Sequence, residues 1–178
     1  MSLKSQIDIT VSPATRLEKP IVRQLMELYQ HDFSEFEDRD LDEQGYFGYA
    51  YLDSYWIEAD RHPFLIRASS KLAGFVFVNS YTYIPGSEYS IAEFFILRKY
   101  RRQGIGRAVA IQIFDRFPGK WEIHQIHTNS VARTFWRKTI ADYTAGKFSE
   151  IGMFDTNEPW QGTVQCFSNA TFAKSGLR

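Results

Sequence analysis

The sequence is poor in the features that mark secreted, membrane-spanning or polyanion-binding proteins. Among 178 residues there is one cysteine, Cys166, which excludes an intramolecular disulfide and a multi-cysteine zinc site and fits a reducing compartment. No apolar run approaches the ~18 residues needed to cross a bilayer, and Met1-Ser2-Leu3-Lys4-Ser5-Gln6 lacks the apolar centre of a secretory signal. A cytoplasmic location is the expectation. Net charge is lacking too. The 21 Lys and Arg balance 21 Asp and Glu, so the chain has no overall basic excess with which to hold a nucleic acid or an anionic membrane. Internal repeats and low-complexity tracts are missing. Aromatic residues are plentiful: 15 Phe, 10 Tyr and 4 Trp, within a hydrophobic fraction of 44%. That is too much apolar material for a disordered chain, and the length suits one domain over residues 1–178.

The periodicity of the apolar residues orders the elements. Ile7, Ile9 and Val11 alternate with polar residues up to Pro13 and predict a strand. Pro20 sits at a helix start, followed by Ile21, Leu25 and Leu28 at i, i+4, i+7 with Val22, Met26 and Tyr29 as a flanking stripe. This predicts about three turns of helix. Broken helix and loop are expected across the acidic residues 32–43 and the aromatic residues 46–56. Residues 63–68 and 73–78 predict a hairpin, and residues 91–97 a further strand after the Pro85-Gly86-Ser87 turn. Ala110, Ile113, Phe114 and Phe117 predict a helix that begins near Gly106 and is stopped by Pro118-Gly119. Residues 121–126 read as a strand. Ala132, Phe135, Trp136 and Thr139 mark a short helix capped by Asn129 or Ser130. Residues 143–168 have room for two strands around a turn at residues 155–159. The order β-α-(α)-β-β-β-α-β-α-β-β is a mixed α/β, or α+β, domain.

The segment from Glu93 to Ala108 carries the clearest chemistry. An apolar strand runs into a basic loop, two glycines follow with one residue between them, and a helix starts. Glycines let backbone approach a ligand closely, and consecutive N–H groups at a helix N-terminus converge on an anion. Arg101, Arg102 and Arg107 add full charges, so the segment suits a pyrophosphate. A Walker loop would need Gly-Lys-Ser/Thr, which is absent, and a dinucleotide fingerprint would need a small residue at Val109 and a βαβ setting. The structural alternative is a plain strand-to-helix turn with a solvated arginine rim.

Arg101-Arg102-Gln103-Gly104-Ile105-Gly106 resembles the Arg/Gln-x-x-Gly-x-Gly/Ala acetyl-CoA loop of the GCN5-related N-acetyltransferase (GNAT) superfamily. Asn129-Ser130-Val131-Ala132-Arg133-Thr134-Phe135-Trp136-Arg137-Lys138 is similar to that family's Asn-x-x-Ala-x-x-Phe-Tyr-x-Lys helix. The resemblance implies a central, mostly antiparallel twisted sheet of six to seven strands, with about four flanking helices. It also implies a strand pair that splays apart at the acetyl-CoA site. The backbone of Phe95, Ile96 and Leu97 would then hold the pantetheine arm of coenzyme A. Arg101, Arg102, Gln103, Gly104, Ile105, Gly106 and Arg107 would hold its pyrophosphate, and Asn129, Phe135 and Lys138 would line its far side. Two departures stand out: Trp136 replaces the family's tyrosine, the usual acid for the departing thiolate, and Ile140 stands where a glycine usually follows the helix.

Acetyl transfer to an amine needs a base for the ammonium proton. Glu93, a carboxylate inside an apolar strand, is the candidate, since burial raises a carboxyl pKa toward a useful range. Its alternatives are a structural ion pair or an outward-facing position, and the family commonly places its glutamate where this chain has Ser90. An indole N–H is too weak an acid to replace the tyrosine, so Tyr143 or a water is the candidate acid. His124 and His127, three apart on a strand, point to opposite faces and would not share a metal ion; one is expected to face the cleft. No metal is expected.

The acceptor side combines acid with aromatics. Residues 32–43 hold seven acidic residues against one arginine, while residues 98–107 hold five basic residues and no acid. Asp32, Glu35 and Tyr51 are the candidates for a cationic amine; a solvated acidic loop over an aromatic core is the alternative. The expected function is an acetyl-CoA-dependent N-acetyltransferase acting on a primary amine of a small acceptor, and a homodimer is compatible with it. A catalytically silent acyl-CoA-binding or sensing domain is the second reading. Nucleic-acid binding through residues 98–102 is a third, disfavoured by the zero net charge.

Overall fold

A computed structural model describes residues 7–154 and 161–170. Seven strands form one sheet: β1 (Ile9–Pro13), β2 (Arg61–Ala68), β3 (Lys71–Asn79), β4 (Tyr89–Ile96), β5 (Lys120–Ile126), β6 (Ser149–Phe154) and β7 (Gln161–Ser168). Their order is β1-β2-β3-β4-β5-β7-β6, and every pairing is antiparallel except β4 with β5. Three α-helices flank it: α1 (Lys19–Phe33), α2 (Ile105–Arg116) and α3 (Ser130–Thr144). The predicted mixed, mostly antiparallel sheet and its splayed pair are therefore present. The expected turn at residues 155–159 lies outside the described residues.

Three details differ from the sequence-based expectation, each for a physical reason. First, three α-helices, not about four, are found among the described residues. Residues 34–52 have no apolar stripe with which to anchor a helix, and Gly45 and Gly48 both take positive φ. This stretch is held by side chains instead: Glu27 accepts from the Phe47 and Gly48 amides, and Arg39 donates to Gln30 and to the Phe47 and Gly48 carbonyls. Second, α1 buries Val22, Leu25 and Met26, while Leu28 is half exposed. The buried face therefore combines Leu25 of the first stripe with Val22 and Met26 of the flanking one. Third, α3 does not stop near Thr139 but runs on to Thr144, ending through left-handed Ala145 and Gly146, whose amide reaches the Ala141 carbonyl. Ile140 is thus a fully buried residue inside the helix, and the terminating glycine comes later.

The core has two halves, one on each face of the sheet. Val76, Val78, Ile91 and Ile96 join Val109, Ile113, Trp136 and Ile140 beneath α2 and α3. Phe75, Phe77 and Phe95 join Val22, Leu25, Met26 and Tyr55 beneath α1. Strand alternation would put Ile91 and Phe95 on the same face, yet they lie in opposite halves. A β-bulge resolves this: Phe77 pairs with Glu93 and Val78 with Ile91, which leaves Ala92 as the extra residue and reverses the side-chain order beyond it. Glu93 is turned toward α1 by that single residue.

Candidate active site

The splay between β4 and β5 makes the site. The two strands pair only at Tyr89–Trp121 and Ser90–Glu122, then separate. Beyond that point a cleft of about 1180 Å³ opens between them and runs from α1 to α3. One wall is the edge of β4 from Ile91 to Ile96; the other includes His124, Gln125 and Ile126 of β5.

At the end of β4 the cleft meets the start of α2. Arg102 and Gly104 both take left-handed backbone, with φ of 60° and 78°, which folds the loop tightly before the helix. Gly104 is the N-cap of α2 and supplies no side-chain cap, so the first-turn amides meet the cleft uncapped, with the positive end of the helix dipole behind them. Gly106 gives a close approach of a different kind. A Cβ there would lie 3.3 Å from Phe135 Cζ, because the helix start packs against α3. The exposed side chains of Arg102, Arg107 and Lys138 surround this end of the opening. An anion at the helix start and an extended polar arm in the splay both fit this donor set.

The face toward α1 carries a different chemistry. Glu93 lines the cleft opposite Phe77, and the Tyr29 and Tyr49 phenols, which line the same cleft, favour its charged form. Burial pushes its carboxyl up to about 7, and nearby Glu37 adds to the rise, against the lowering influence of the two phenols and Arg39. Tyr29 itself packs edge-on against Phe75 and Phe95, so its ring is held by the aromatic core while its hydroxyl can still rotate. On the same face, His124 Nε2 stands 3.1 Å from both Ser90 Oγ and Glu122 Oε1. Glu122 is fully buried, yet its carboxyl is held below the usual value: burial alone would raise it, but His124 and the Tyr83 and Ile84 amides outweigh that.

The structure brings most of the expected residues to this cleft. Glu93, Phe95, Ile96, Arg101, Arg102, Gly104, Gly106, Arg107, Asn129, Phe135, Lys138, Asp32, Glu35 and Tyr51 line it. Leu97, Gln103 and Ile105 do not: Ile105 is buried in the core, Leu97 packs beneath α1, and the Gln103 side chain bonds back to the Lys99 carbonyl. Tyr143 is also placed elsewhere. It lies near the far end of α3, about 20 Å from Asn129 at the helical rise of 1.5 Å per residue, where its hydroxyl donates to Asp115 at 2.7 Å. That position removes it as the acid. Asp32 is engaged rather than open, since it accepts from Arg98 at 2.7 Å and Arg101 at 2.5 Å. Arg101 is correspondingly tied to Asp32 and to the Ile96 carbonyl, which makes it a clasp between α1 and the loop. Trp136 is 5% exposed and packs against Phe94, Phe114 and Phe135. His124 lines the cleft while His127 is exposed beyond the end of β5.

Sequence reasoning missed Tyr29, Tyr49, Gln125 and Glu37, all of which line the cleft. Tyr29 had a signal, its place in the helical stripe of α1. Tyr49 and Glu37 lie in the irregular segment, where spacing says nothing about direction.

Comparison with known proteins agrees with this geometry. The chain matches the family profile described as Acetyltransferase (GNAT) family over residues 22–141. No curated protein sequence matches it. Among solved structures, an acetyltransferase from Thermus thermophilus superposes with a TM-score of 0.65 at 14% identity, covering 90% of this chain and 96% of that one. A spermidine N-acetyltransferase from Vibrio cholerae, solved in complex with CoA and spermine, gives a TM-score of 0.59 at 17% identity over 92% and 97%. The ribosomal-protein-S18-alanine N-acetyltransferase from Escherichia coli gives 0.54 at 14% identity over 92% and 95%.

Proposed function

Since the chain belongs to the GNAT acetyltransferase family, we propose that residues 1–178 act as one N-acetyltransferase domain that moves an acetyl group from acetyl-CoA to a primary amine of a small, cationic acceptor. The observation that carries this reading is the place of Glu93: a carboxyl on the cleft wall that faces α1, among Tyr29 and Tyr49, where burial raises its pKa to about 7.

When bound, acetyl-CoA supplies the acetyl thioester. The uncapped start of α2, with Arg102 and Arg107, would hold its pyrophosphate, and the unpaired edge of β4 from Ile91 to Ile96 would take its extended arm. Asn129, Phe135 and Lys138 close the opposite side. An amine reaches the α1 side as an ammonium ion, which is no nucleophile. Glu93 takes its proton, and a group with a pKa near 7 does so efficiently at neutral pH. Glu35 and Glu37 at the cleft mouth favour a cation, and Tyr29, Tyr49 and Tyr51 present aromatic surface to it. Asp32 does not serve here, because Arg98 and Arg101 already neutralise it. With Trp136 in the core and Tyr143 remote, neither of these two positions supplies a tyrosine acid. As the amine nitrogen bonds to the acetyl carbon, the thioester C–S bond would break to give a thiolate, and water would protonate it, since a thiol pKa of ~8.5 makes it a tolerable leaving group.

The V. cholerae likeness supports an amine acceptor and the E. coli likeness a peptide amine; the acidic cleft mouth favours the former. The test is thiol release from acetyl-CoA with polyamines, small monoamines and short peptides as acceptors. Turnover with polyamines above peptides is expected. Coenzyme binding without thiol release for any amine would replace this reading with the catalytically silent one.

A further inference from the structure

Among the described residues, the buried side-chain polar atoms that lack a hydrogen-bond partner are Gln125 Nε2, Gln125 Oε1 and Gln165 Oε1. Gln125 stands apart because both ends of its amide are orphaned, it is only 5% exposed, and it lines the cleft. A buried amide without partners is strongly disfavoured, and folded proteins retain one where a ligand or an ordered water completes it.

Its position says which occupant. On β5, Trp121 and Ile123 belong to the core under α2 and α3, so Gln125, next in the alternation, faces that side. His124 faces the other way, toward Ser90 and the α1 side. Gln125 also lies three residues beyond the last β4–β5 pair, where the strands have parted. It therefore sits in the splay itself, on the wall away from Glu93. One donor and one acceptor side by side match a secondary amide, which offers one acceptor and one donor in return.

We propose that Gln125 binds an amide of the pantetheine arm of coenzyme A, completing its own hydrogen bonds only when the arm occupies the splay. This rests on the acetyl-CoA reading above. The face on which Gln125 lies separates this group from an acceptor amide, which would enter from the α1 side.

The test compares wild type with Gln125→Met, which keeps the shape and removes the amide. Two probes are titrated: coenzyme A, and 3′-phospho-ADP, which carries the phosphates and adenosine without the arm. The expected result is a coenzyme A Kd about tenfold weaker in the variant, an unchanged Kd for 3′-phospho-ADP, and an unliganded melting temperature equal to or above that of wild type. Unchanged affinity for both probes would overturn the proposal and assign the amide to an ordered water. Equal loss for both probes, or a lower melting temperature, would overturn it in favour of a structural role. Wild type that binds neither probe would instead sink the acetyl-CoA reading itself. A second measurement needs no variant to fold: the Gln125 side-chain amide resonances of the wild-type protein shift on adding coenzyme A and stay in place with 3′-phospho-ADP. Resonances that ignore coenzyme A would overturn the proposal.

Discussion

Two carboxylates face the same side of the sheet within a few residues of where the strands part, and they behave in opposite ways. Glu93 on β4 is pushed up to about 7, whereas Glu122 on β5, fully buried, is held below its ordinary value. Burial penalises the charged form of both. The difference lies in the donors. Glu122 accepts two backbone amides, from Tyr83 and Ile84, and the His124 ring. Glu93 has two phenols, which stabilise the anion less than burial and Glu37 destabilise it. Backbone amides are fixed by the fold and cannot turn away, so they commit Glu122 to the anion and to structure. Phenols that can follow the proton leave Glu93 able to take one up and give it back.

The largest effect expected from breaking this pair is on catalysis. Glu93→Gln removes the proposed proton acceptor, and a loss of general-base catalysis of about 10²–10⁴-fold in kcat/KM is expected. Coenzyme binding should be unchanged by calorimetry. Wild-type kcat/KM should rise with pH to a plateau, with a midpoint near 7. Stability should move the other way. A carboxyl raised from 4.5 to about 7 favours the folded state while protonated and loses that contribution as pH climbs between the two values. Glu93→Gln should therefore match wild type below pH 4.5 and exceed it by up to about 3 kcal/mol above pH 7. A variant that retains full activity would remove Glu93 from the mechanism.

Glu122→Gln should do the reverse, by a smaller amount. The neutral amide weakens three hydrogen bonds to a buried anion, and a loss of about 2 kcal/mol is expected at neutral pH, seen as several degrees of melting temperature. Because its carboxyl is lowered, the contribution is present above the ordinary carboxylate value and is lost as pH falls through the folded one. Wild type and variant should converge in acid. Equal stability at pH 8 would mean that Glu122 is not the fixed anion its donors suggest.

The contrast also marks how far sequence could be read. The donor half of the cleft was legible because its parts are local. The Gly-x-Gly spacing, the strand before it and the helix after it sit within residues 93–108, and the backbone amides at the helix start face the cleft whatever the side chains. Glu93 was legible as a carboxylate in an apolar strand, but not its direction, which depends on the bulge at Ala92 and hence on pairing with β3. The acceptor half was poorly legible. Asp32 read as an open anion, yet Arg98 and Arg101, 66 and 69 residues away, close over it. Tyr143 was a candidate by residue type alone, and its place late on α3 turns its hydroxyl to Asp115. Every misplacement is a long-range contact or a boundary error, and residue spacing encodes neither.

Removing the phenols should sharpen the contrast. Tyr29→Phe and Tyr49→Phe each delete one donor to the Glu93 anion while leaving the aromatic packing in place, so the carboxyl should rise further. The midpoint of the kcat/KM profile is expected to move alkaline by roughly one pH unit for each variant. The plateau should be largely retained, because the base itself is intact. An unmoved midpoint with a lowered plateau would show that the phenols position substrate and do not tune the base.

The smallest effect is the most diagnostic, because it isolates charge from hydrogen bonding. Glu37 raises Glu93 through space and makes no hydrogen bond to it; it is exposed on the cleft mouth. Replacing it with glutamine should lower the Glu93 midpoint, opposite in sign to the phenol variants, by a few tenths of a pH unit, as fits an interaction through solvent. Salt should separate the two kinds of influence. Raising ionic strength from about 0.01 M to 1 M shortens the screening length from roughly 30 Å to 3 Å. The Glu37→Gln shift should then vanish, while the Tyr29→Phe and Tyr49→Phe shifts survive, since a hydrogen bond has no intervening ions to screen it. If the Glu37→Gln shift instead persisted in high salt, the acidic mouth would act on Glu93 through a bonded chain of groups. The cleft would then hold its cation by direct contact, not by the field of its rim.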